Sequence, residues 1–368
     1  MRKTSFSKIL TIFLLFSLGG FIANFLLTDF ASASTSILID KIEQKDGWGV
    51  VAVDPETSKV YVTNFKSNTV TVIDGNTNKP ISEIEVGISP YGIGINIDTK
   101  ILFVALEHND TLAIVDTATS EVIKKLDIPD PYDVVVNSKT NTAYVTSDNT
   151  HTVFVVDGTE NEIVTSYSVD KPCGVAVNEK TNMVYVTSET TNTLHVFDGS
   201  NNTLVAILDV GKSPRGVIAN PTTNMVYVTN QLSGTVDVID GSKNEIVDTI
   251  SVGKTPRRIV VNPDTNILYV SNQISNSISV IDGKTNQVID TIPVDQPFEL
   301  MLNPKTNKVY ATYFGNPHLS IVNEGIRGQE RSDSQTIIGV LVAGAGAAAV
   351  AFFLTQKKKI KKKPISSE

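Results

Sequence analysis

Seven side chains able to hold a ligand recur along the chain at intervals of roughly 42 residues. They are Trp48, Tyr91, Tyr132, Cys173, Arg215, Arg257 and Phe298. The residue after each one varies too: Gly49, Gly92, Asp133, Gly174, Gly216, Arg258 and Glu299. If the fold brings these positions together, the chemistry they offer is recognition. Aromatic faces supply rigid contact area, and a guanidinium fork matches a carboxylate. Such a pocket suits a flat or anionic ligand, such as a glycan with acidic groups or a small carboxylate. The competing reading is that these side chains only plug the space they share, with Arg257 or Arg258 pairing with Glu299. A repeat kept for packing alone should be more uniform at these positions.

Other chemistries have little to stand on. Cys173 is the one cysteine. An intramolecular disulfide is therefore impossible, and a Cys-ligated metal or haem has no ligand set. Cys173 reads as a small buried apolar residue. His108, His151 and His318 fall in loops of separate repeats at no metal spacing, and His195 falls on a strand. Asp74, Asp157, Asp198, Asp240 and Asp282 each precede a glycine in a tight turn, without the clustered oxygens of a calcium loop. No nucleophile elbow, zinc-protease helix, phosphate loop or dinucleotide fingerprint is present. No cofactor and no metal is expected. An enzyme is not excluded by this, because distant loops can assemble a site.

The elements that must position the seven residues are set by the repeat. "KVYVTN" (59–64), "ILFVAL" (101–106), "TAYVTS" (142–147), "MVYVTS" (183–188), "MVYVTN" (225–230), "ILYVSN" (267–272) and "KVYATY" (308–313) are versions of one strand. A short apolar strand such as "GVAVN" (174–178) precedes it, across a turn such as "NPTTN" (220–224). A third strand such as "TVDVIDG" (235–241) and a fourth such as "EIVDTISV" (245–252) follow. A period of roughly 42 residues with four strands and no helix indicates propeller blades. The aromatic of the second strand should pack between blades with its hydroxyl at a polar edge. The connectors into the first strands crowd round one mouth of the central channel, and the loops after the second strands open on the same face. Going round the ring, Phe298, Trp48, Tyr91 and Tyr132 form an aromatic arc that faces Arg215 and Arg257, with Cys173 between.

The last unit, 299–324, supplies three strands and stops. The stretch "LIDKIEQKDGW" (38–48) aligns without a gap to "VIDTIPVDQPF" (288–298), a fourth strand and its connector. The N-terminal strand should therefore complete the last blade and close a seven-bladed, all-β propeller over 34–324. A linear array would leave both partners as open edges.

"VYVTN" followed by "TVDVIDG" and by "NPTTN"-type turns resembles the YVTN-repeat β-propeller proteins, including archaeal surface-layer and exported bacterial members. The resemblance covers nearly all of 37–324 and implies an extracytoplasmic seven-bladed propeller. The family is functionally mixed, and its shape is shared with redox enzymes and lactonases. Unit two departs most: "INIDTKILFVAL" (95–106) lacks the proline turn, and Asp116 is followed by Thr117 rather than glycine.

Both termini read as membrane signals. Arg2, Lys3 and Lys8 precede an apolar run, Ile9 to Leu27, and then Ala31-Ser32-Ala33. This reads as a signal peptide over 1–33, or an uncleaved anchor. A polar stalk follows the propeller over 325–335. Residues 336–355 read as a transmembrane helix, and the basic tail 356–368 should be cytoplasmic. Gly339, Ala343, Ala347 and Ala351 give that span a small-residue face open to homodimer pairing. The whole chain carries a net charge of −8. Setting aside the basic and acidic residues of the two ends leaves about −15 on the exposed part, which disfavours nucleic acid. The expectation is a single-pass cell-surface propeller acting as a binding, adhesion or scaffold module. Its partner would be an envelope glycan, an anionic small ligand or a surface protein. The alternative is an extracytoplasmic enzyme, a lactonase-like hydrolase or an oxidoreductase component, using the channel mouth.

Overall fold

A computed structural model describes residues 37–43, 49–313 and 318–323. The signal, stalk, membrane span and tail expected from the sequence lie outside these residues. Among the described residues no helix is long and apolar enough to cross a membrane. Strand β1 spans Ile37–Glu43. Blade 1 follows as β2–β5 (Val51–Asp54, Lys59–Asn64, Thr69–Asp74, Lys79–Glu85), and blade 2 as β6–β9 (Pro90–Asn96, Ile101–Leu106, Thr111–Asp116, Glu121–Asp127). Blade 3 is β10–β13 (Pro131–Asn137, Thr142–Ser147, Thr152–Asp157, Glu162–Ser168), and blade 4 is β14–β17 (Pro172–Asn178, Met183–Ser188, Thr193–Asp198, Thr203–Asp209). Blade 5 is β18–β21 (Pro214–Ala219, Met225–Asn230, Thr235–Asp240, Glu245–Ser251), and blade 6 is β22–β25 (Pro256–Val261, Ile267–Asn272, Ser277–Asp282, Gln287–Pro293). Blade 7 combines β26–β28 (Pro297–Asn303, Lys308–Tyr313, His318–Asn323) with β1, in the order β1-β28-β27-β26. Each innermost strand contacts the next around the ring, and β26 returns to β2.

The closing strand copies the repeat in register as well as in place. Asp40 pairs with Ile321 and Leu38 with Val322, so Ile39 is skipped by a bulge. In blade 6, Asp290 pairs with Val280 and Val288 with Ile281, so Ile289 is skipped in the same way. The gapless alignment of 38–48 with 288–298 is therefore a structural equivalence, bulge included. Ile42 is buried on the blade 7 side, in a cluster with Tyr310, Leu319 and Ile321.

The second-strand aromatics Tyr61, Phe103, Tyr144, Tyr185, Tyr227, Tyr269 and Tyr310 are almost fully buried between blades. The expected polar edge is absent for several of them. Three hydroxyls abut the Asp-Gly turn of the next blade: a Cβ on Gly199 would lie 2.6 Å from the Tyr144 hydroxyl, one on Gly241 would lie 3.0 Å from that of Tyr185, and one on Gly75 would lie 2.9 Å from that of Tyr310. The hydroxyls of Tyr144, Tyr185 and Tyr310 have no partner among the described residues, and burial pushes their pKa up to about 12. Glycine is kept in these turns because nothing larger fits against the neighbouring ring. Unit two breaks this rule in a compensated way. Thr117 replaces the glycine, donates to Lys100 O at 2.8 Å and hydrogen-bonds the Tyr61 hydroxyl.

A second inter-blade device is an asparagine ladder. The asparagine ending each inner strand accepts from its own turn: Asn96 Oδ1 takes the N–H groups of Asp98 and Thr99 at 2.9 and 3.0 Å. Its Nδ2 donates across to Asn141 Oδ1 at 2.6 Å. Asn137 to Asn182, Asn178 to Asn224, Asn220 to Asn266 and Asn262 to Asn307 repeat the bond at 2.7–2.9 Å. The acceptors stand at φ of 52–59°, a left-handed region that asparagine tolerates. Between blades 1 and 2 the ladder becomes an ion pair. Asp54 replaces the donor and Lys100, at φ 61°, replaces the acceptor; Lys100 Nζ lies 3.1 Å from Asp54 Oδ2. At the closing seam, blade 1 has Ser58 at the acceptor position, and Asn303 Nδ2 finds no partner among the described residues. Lys308 spans that seam instead, donating to Gly75 O and to Asn78 Oδ1.

Two outcomes follow. Deleting 37–43 exposes the β28 edge and the apolar face around Ile321; urea unfolding should lose its single sharp transition and β28 amides should lose exchange protection. A truncated chain that melts like the intact one would contradict the closing role. The second outcome concerns Asp54. Burial works to raise its carboxyl pKa, but Thr57, Lys100 and two backbone N–H groups outweigh burial and hold it below the usual range. A depressed folded pKa contributes stability above the unfolded value and loses it as pH falls through the folded one. K100N should cost about 1–3 kcal/mol. D54N/K100N should recover most of that and lose less stability on acidification than the wild type, as read by urea unfolding at neutral and acid pH.

Candidate functional site: the channel mouth

The mouth residues are aimed by a bulge and a hydroxyl. In blades 2 to 7 the inner strand slips register just after its leading proline, as between Pro131 and Val134. The two residues freed there, Tyr132 and Asp133 in blade 3, are turned out of the ladder toward the channel. The threonine of the "YVTN" strand then pins them. Thr229 Oγ1 accepts from Gly216 N at 2.8 Å in its own blade and donates to Arg257 O in the next at 2.7 Å. Thr63, Thr146, Thr187 and Ser271 do the same for the carbonyls of Tyr91, Cys173, Arg215 and Phe298. Blade 2 has Ala105 there. Gly92 instead packs so tightly on Tyr132 O that a Cβ would lie 2.1 Å from it.

The result is a bowl of about 480 Å³ lined by Phe65, Tyr91, Glu107, His108, Tyr132, Arg215, Arg257 and Phe298. Tyr91 and Tyr132 stack with centroids 4.8 Å apart, and their hydroxyls lie 3.2 Å from each other. Burial pushes the Tyr132 phenol up to about 12 and that of Tyr91 well above its ordinary value. The aromatic and basic arcs are not separate walls, as their order in sequence had implied. The Arg257 guanidinium lies 3.9 Å from the Phe298 ring centroid. Arg215 Nη1 donates to the Tyr132 hydroxyl at 3.4 Å and approaches Cys173 Sγ at 3.6 Å. Trp48 lies outside the described residues.

Arg258 and Glu299 lie beneath the bowl rather than in it. Arg258 reaches from blade 6 across the channel to Asp133 of blade 3, Nη1 to Oδ2 at 2.8 Å and Nη2 to Oδ1 at 3.2 Å. Its Nε lies 3.1 Å from Glu299 Oε2. Asp133 and Glu299 are only 5% and 7% exposed. Burial works against the Arg258 charge, but the two carboxylates outweigh it and raise its pKa. Burial also pushes the Glu299 carboxyl up, although the arginines oppose this. The free space at this level is about 20 Å³, so the triad is a plug. Internal pairing therefore accounts for these two residues, with Asp133 as the partner that had not been singled out.

Arg215 is also answered from within. Its Nη2 lies 3.2 Å from Glu189 Oε1, and its Nε donates to Gln231 Oε1 at 3.2 Å. Arg257 differs: its guanidinium makes no hydrogen bond or ion pair among the described residues, and its Nε is buried without an acceptor. Phe65, Glu107, His108 and Glu189 were not among the expected site residues. A signal for them was available. Phe65, Glu107, Asp148, Glu189, Gln231, Gln273 and Phe314 occupy one repeat position, directly after the second strand, and vary as much as the mouth positions do. The expected loop histidines do not converge, and among the described residues no cluster of metal-ligating side chains forms. The Asp-Gly aspartates cap their own turns, as Asp74 does for Asn76 N at 2.8 Å.

These features define a closed seven-bladed β-propeller with a plugged channel and an aromatic, partly cationic bowl at one mouth. Residues 218–323, from the inner strand of blade 5 through blade 7, match the sequence model of the YNCE-like beta-propeller family. No curated protein matches the chain. Among solved structures the chain is similar to Kuenenia stuttgartiensis hydrazine synthase, with 16% identity and a TM-score of 0.68. That likeness covers 77% of this chain and 97% of the other. At such identity the shared property is the fold.

The plug is open to test. R258M leaves two buried carboxylates without their cation, which should cost about 3–5 kcal/mol. In that variant burial, which already pushes the Glu299 carboxyl up, is no longer opposed by the Arg258 charge. The cost should therefore shrink as pH falls and Glu299 protonates. Urea unfolding of R258M and wild type at neutral and mildly acid pH reads both effects; a cost that does not change with pH would remove the carboxylates from the explanation.

Proposed function

We propose that this chain is an exported YVTN-repeat propeller that works as a binding module of the cell envelope, holding an anionic group of its partner in the channel-mouth bowl. Arg257 carries the reading. A guanidinium that presents five donors and meets only a ring face is incompletely satisfied. Its buried Nε has no acceptor among the described residues. A carboxylate entering the bowl would satisfy the fork while its carbon skeleton lies on the Tyr91–Tyr132 stack or on Phe298. Acidic envelope glycans, small carboxylates and acidic segments of surface proteins share that chemistry. The apolar run and Ala-Ser-Ala of the N-terminus support export. The span at 336–355 with its lysine-rich tail supports a single-pass anchor that holds the propeller outside the cytoplasm.

The test is ligand-induced stabilisation of the full-length protein by glucuronate and by para-methylbenzoate. Binding to the folded state raises the melting midpoint by mass action. Wild type should show a saturable shift and R257Q should lose it. R257Q alone should melt no lower than wild type, because the unpaired guanidinium N–H is removed with the charge. Equal shifts in the two proteins, or none in the wild type with either acid, would refute the reading. Turnover of lactones or quinols by the protein would move it to the enzymes.

A further inference from the structure

Two of the charged side chains that line the bowl come from opposite sides of the ring. Glu107 opens the short 3-10 turn after the second strand of blade 2 and lines the same cavity as Arg257 of blade 6. In a ring of seven, blade 2 stands opposite blades 5 and 6, so these two side chains face each other from opposite walls. They do not pair with each other. The Glu107 carboxylate makes no hydrogen bond or ion pair among the described residues. Burial pushes its pKa up, His108 offsets part of this, and Asp130 and Asp148 add to it.

The contrast with Glu189 is informative, because it sits at the same repeat position two blades on. Arg215 lies 3.2 Å from it and Lys171 Nζ lies 3.4 Å from it. Those cations hold its carboxyl below the ordinary range despite burial. Glu107 has no lysine or arginine paired to it among the described residues, and only His108 opposes its burial. A purely anionic ligand would satisfy Arg257 and leave Glu107 facing a second negative charge. A ligand with a cation at its far end satisfies both walls. The surface between them is aromatic: Tyr91 and Tyr132 stacked, with Phe65 and Phe298 at the flanks.

We propose that the bowl binds a flat dipolar molecule, with a carboxylate at one end on Arg257 and an amine at the other end on Glu107. This rests on the anion-binding reading of Arg257 and adds a second recognition group on the opposite wall. A planar body fits the stack, and charges at opposite ends fit the diameter better than an α-amino acid, whose charges are adjacent.

Three matched probes separate the two claims in full-length protein: para-(aminomethyl)benzoate, para-methylbenzoate and benzylamine. Titration calorimetry on wild type should show the dipolar probe binding about tenfold or more tighter than para-methylbenzoate, since a charge-assisted hydrogen bond is added. In E107Q that ratio should fall toward one, and R257Q should bind neither acid. If para-methylbenzoate binds but the wild-type ratio is near one, or if E107Q keeps the full ratio, the dipolar assignment is wrong and the Arg257 reading stands. If neither acid binds wild type, both are wrong. The wild-type ratio decides the matter even where E107Q fails to fold.

Discussion

The structure depends on one constraint: a four-stranded sheet with apolar residues on both faces has to be covered on both. Blades do this for one another only if the ring has no first and last member. Closure is made by β1 on β28, and the interface it completes contains Ile42, Tyr310, Leu319 and Ile321, all buried. The pairing carries the same bulge as the other blades, so the outer face of blade 7 twists as its neighbours do. Everything at the channel mouth inherits its position from that closed ring. A residue of blade 6 can meet one of blade 3 only because the ring fixes the distance across it.

Inter-blade contacts are where the repeat is most constant, and also where its exceptions are matched in pairs. The asparagine ladder needs a donor in one blade and a left-handed acceptor in the next. Unit two lacks the acceptor asparagine, and unit one lacks the donor. Asp54 and Lys100 fall on the same junction and make one ion pair there. Thr117 stands where a glycine is expected and takes the Tyr61 hydroxyl. Seen one unit at a time, these residues look like decay of the motif. Seen across the junction, these departures are answered by the neighbours they touch, whereas Ser58 at the closing seam leaves Asn303 Nδ2 without a partner among the described residues.

That distinction explains what could be read from the chain. Blade number and the closing strand follow from a period, and a period is written in one dimension. Five of the expected mouth residues, Tyr91, Tyr132, Arg215, Arg257 and Phe298, line the bowl and follow from the same period, and the ring of residues after each second strand, including Glu107, was legible in principle. The plug was not. Arg258 and Asp133 are 125 residues apart in sequence, and no local spacing says that an arginine at one blade's bulge will reach a carboxylate across the channel. The interlocking of the arcs was hidden too, because it depends on the side to which each guanidinium leans.

Arg215 and Arg257 show what decides that lean. They occupy the same repeat position and follow the same proline. Their environments are set by the loops on either side. Arg215 has Glu189 on the blade before it and Gln231 on its own, and it bonds both. Arg257 stands between Gln231 and Gln273, and Gln231 already gives its oxygen to Arg215. With no ion pair to a carboxylate among the described residues, the Arg257 fork rests on Phe298. One glutamate-to-glutamine difference between repeat units therefore separates an arginine used up in the structure from one left with donors to spare. An acid introduced at Gln231 or Gln273 would be expected to draw Arg257 off the Phe298 ring, because it would supply from within a carboxylate for the guanidinium fork.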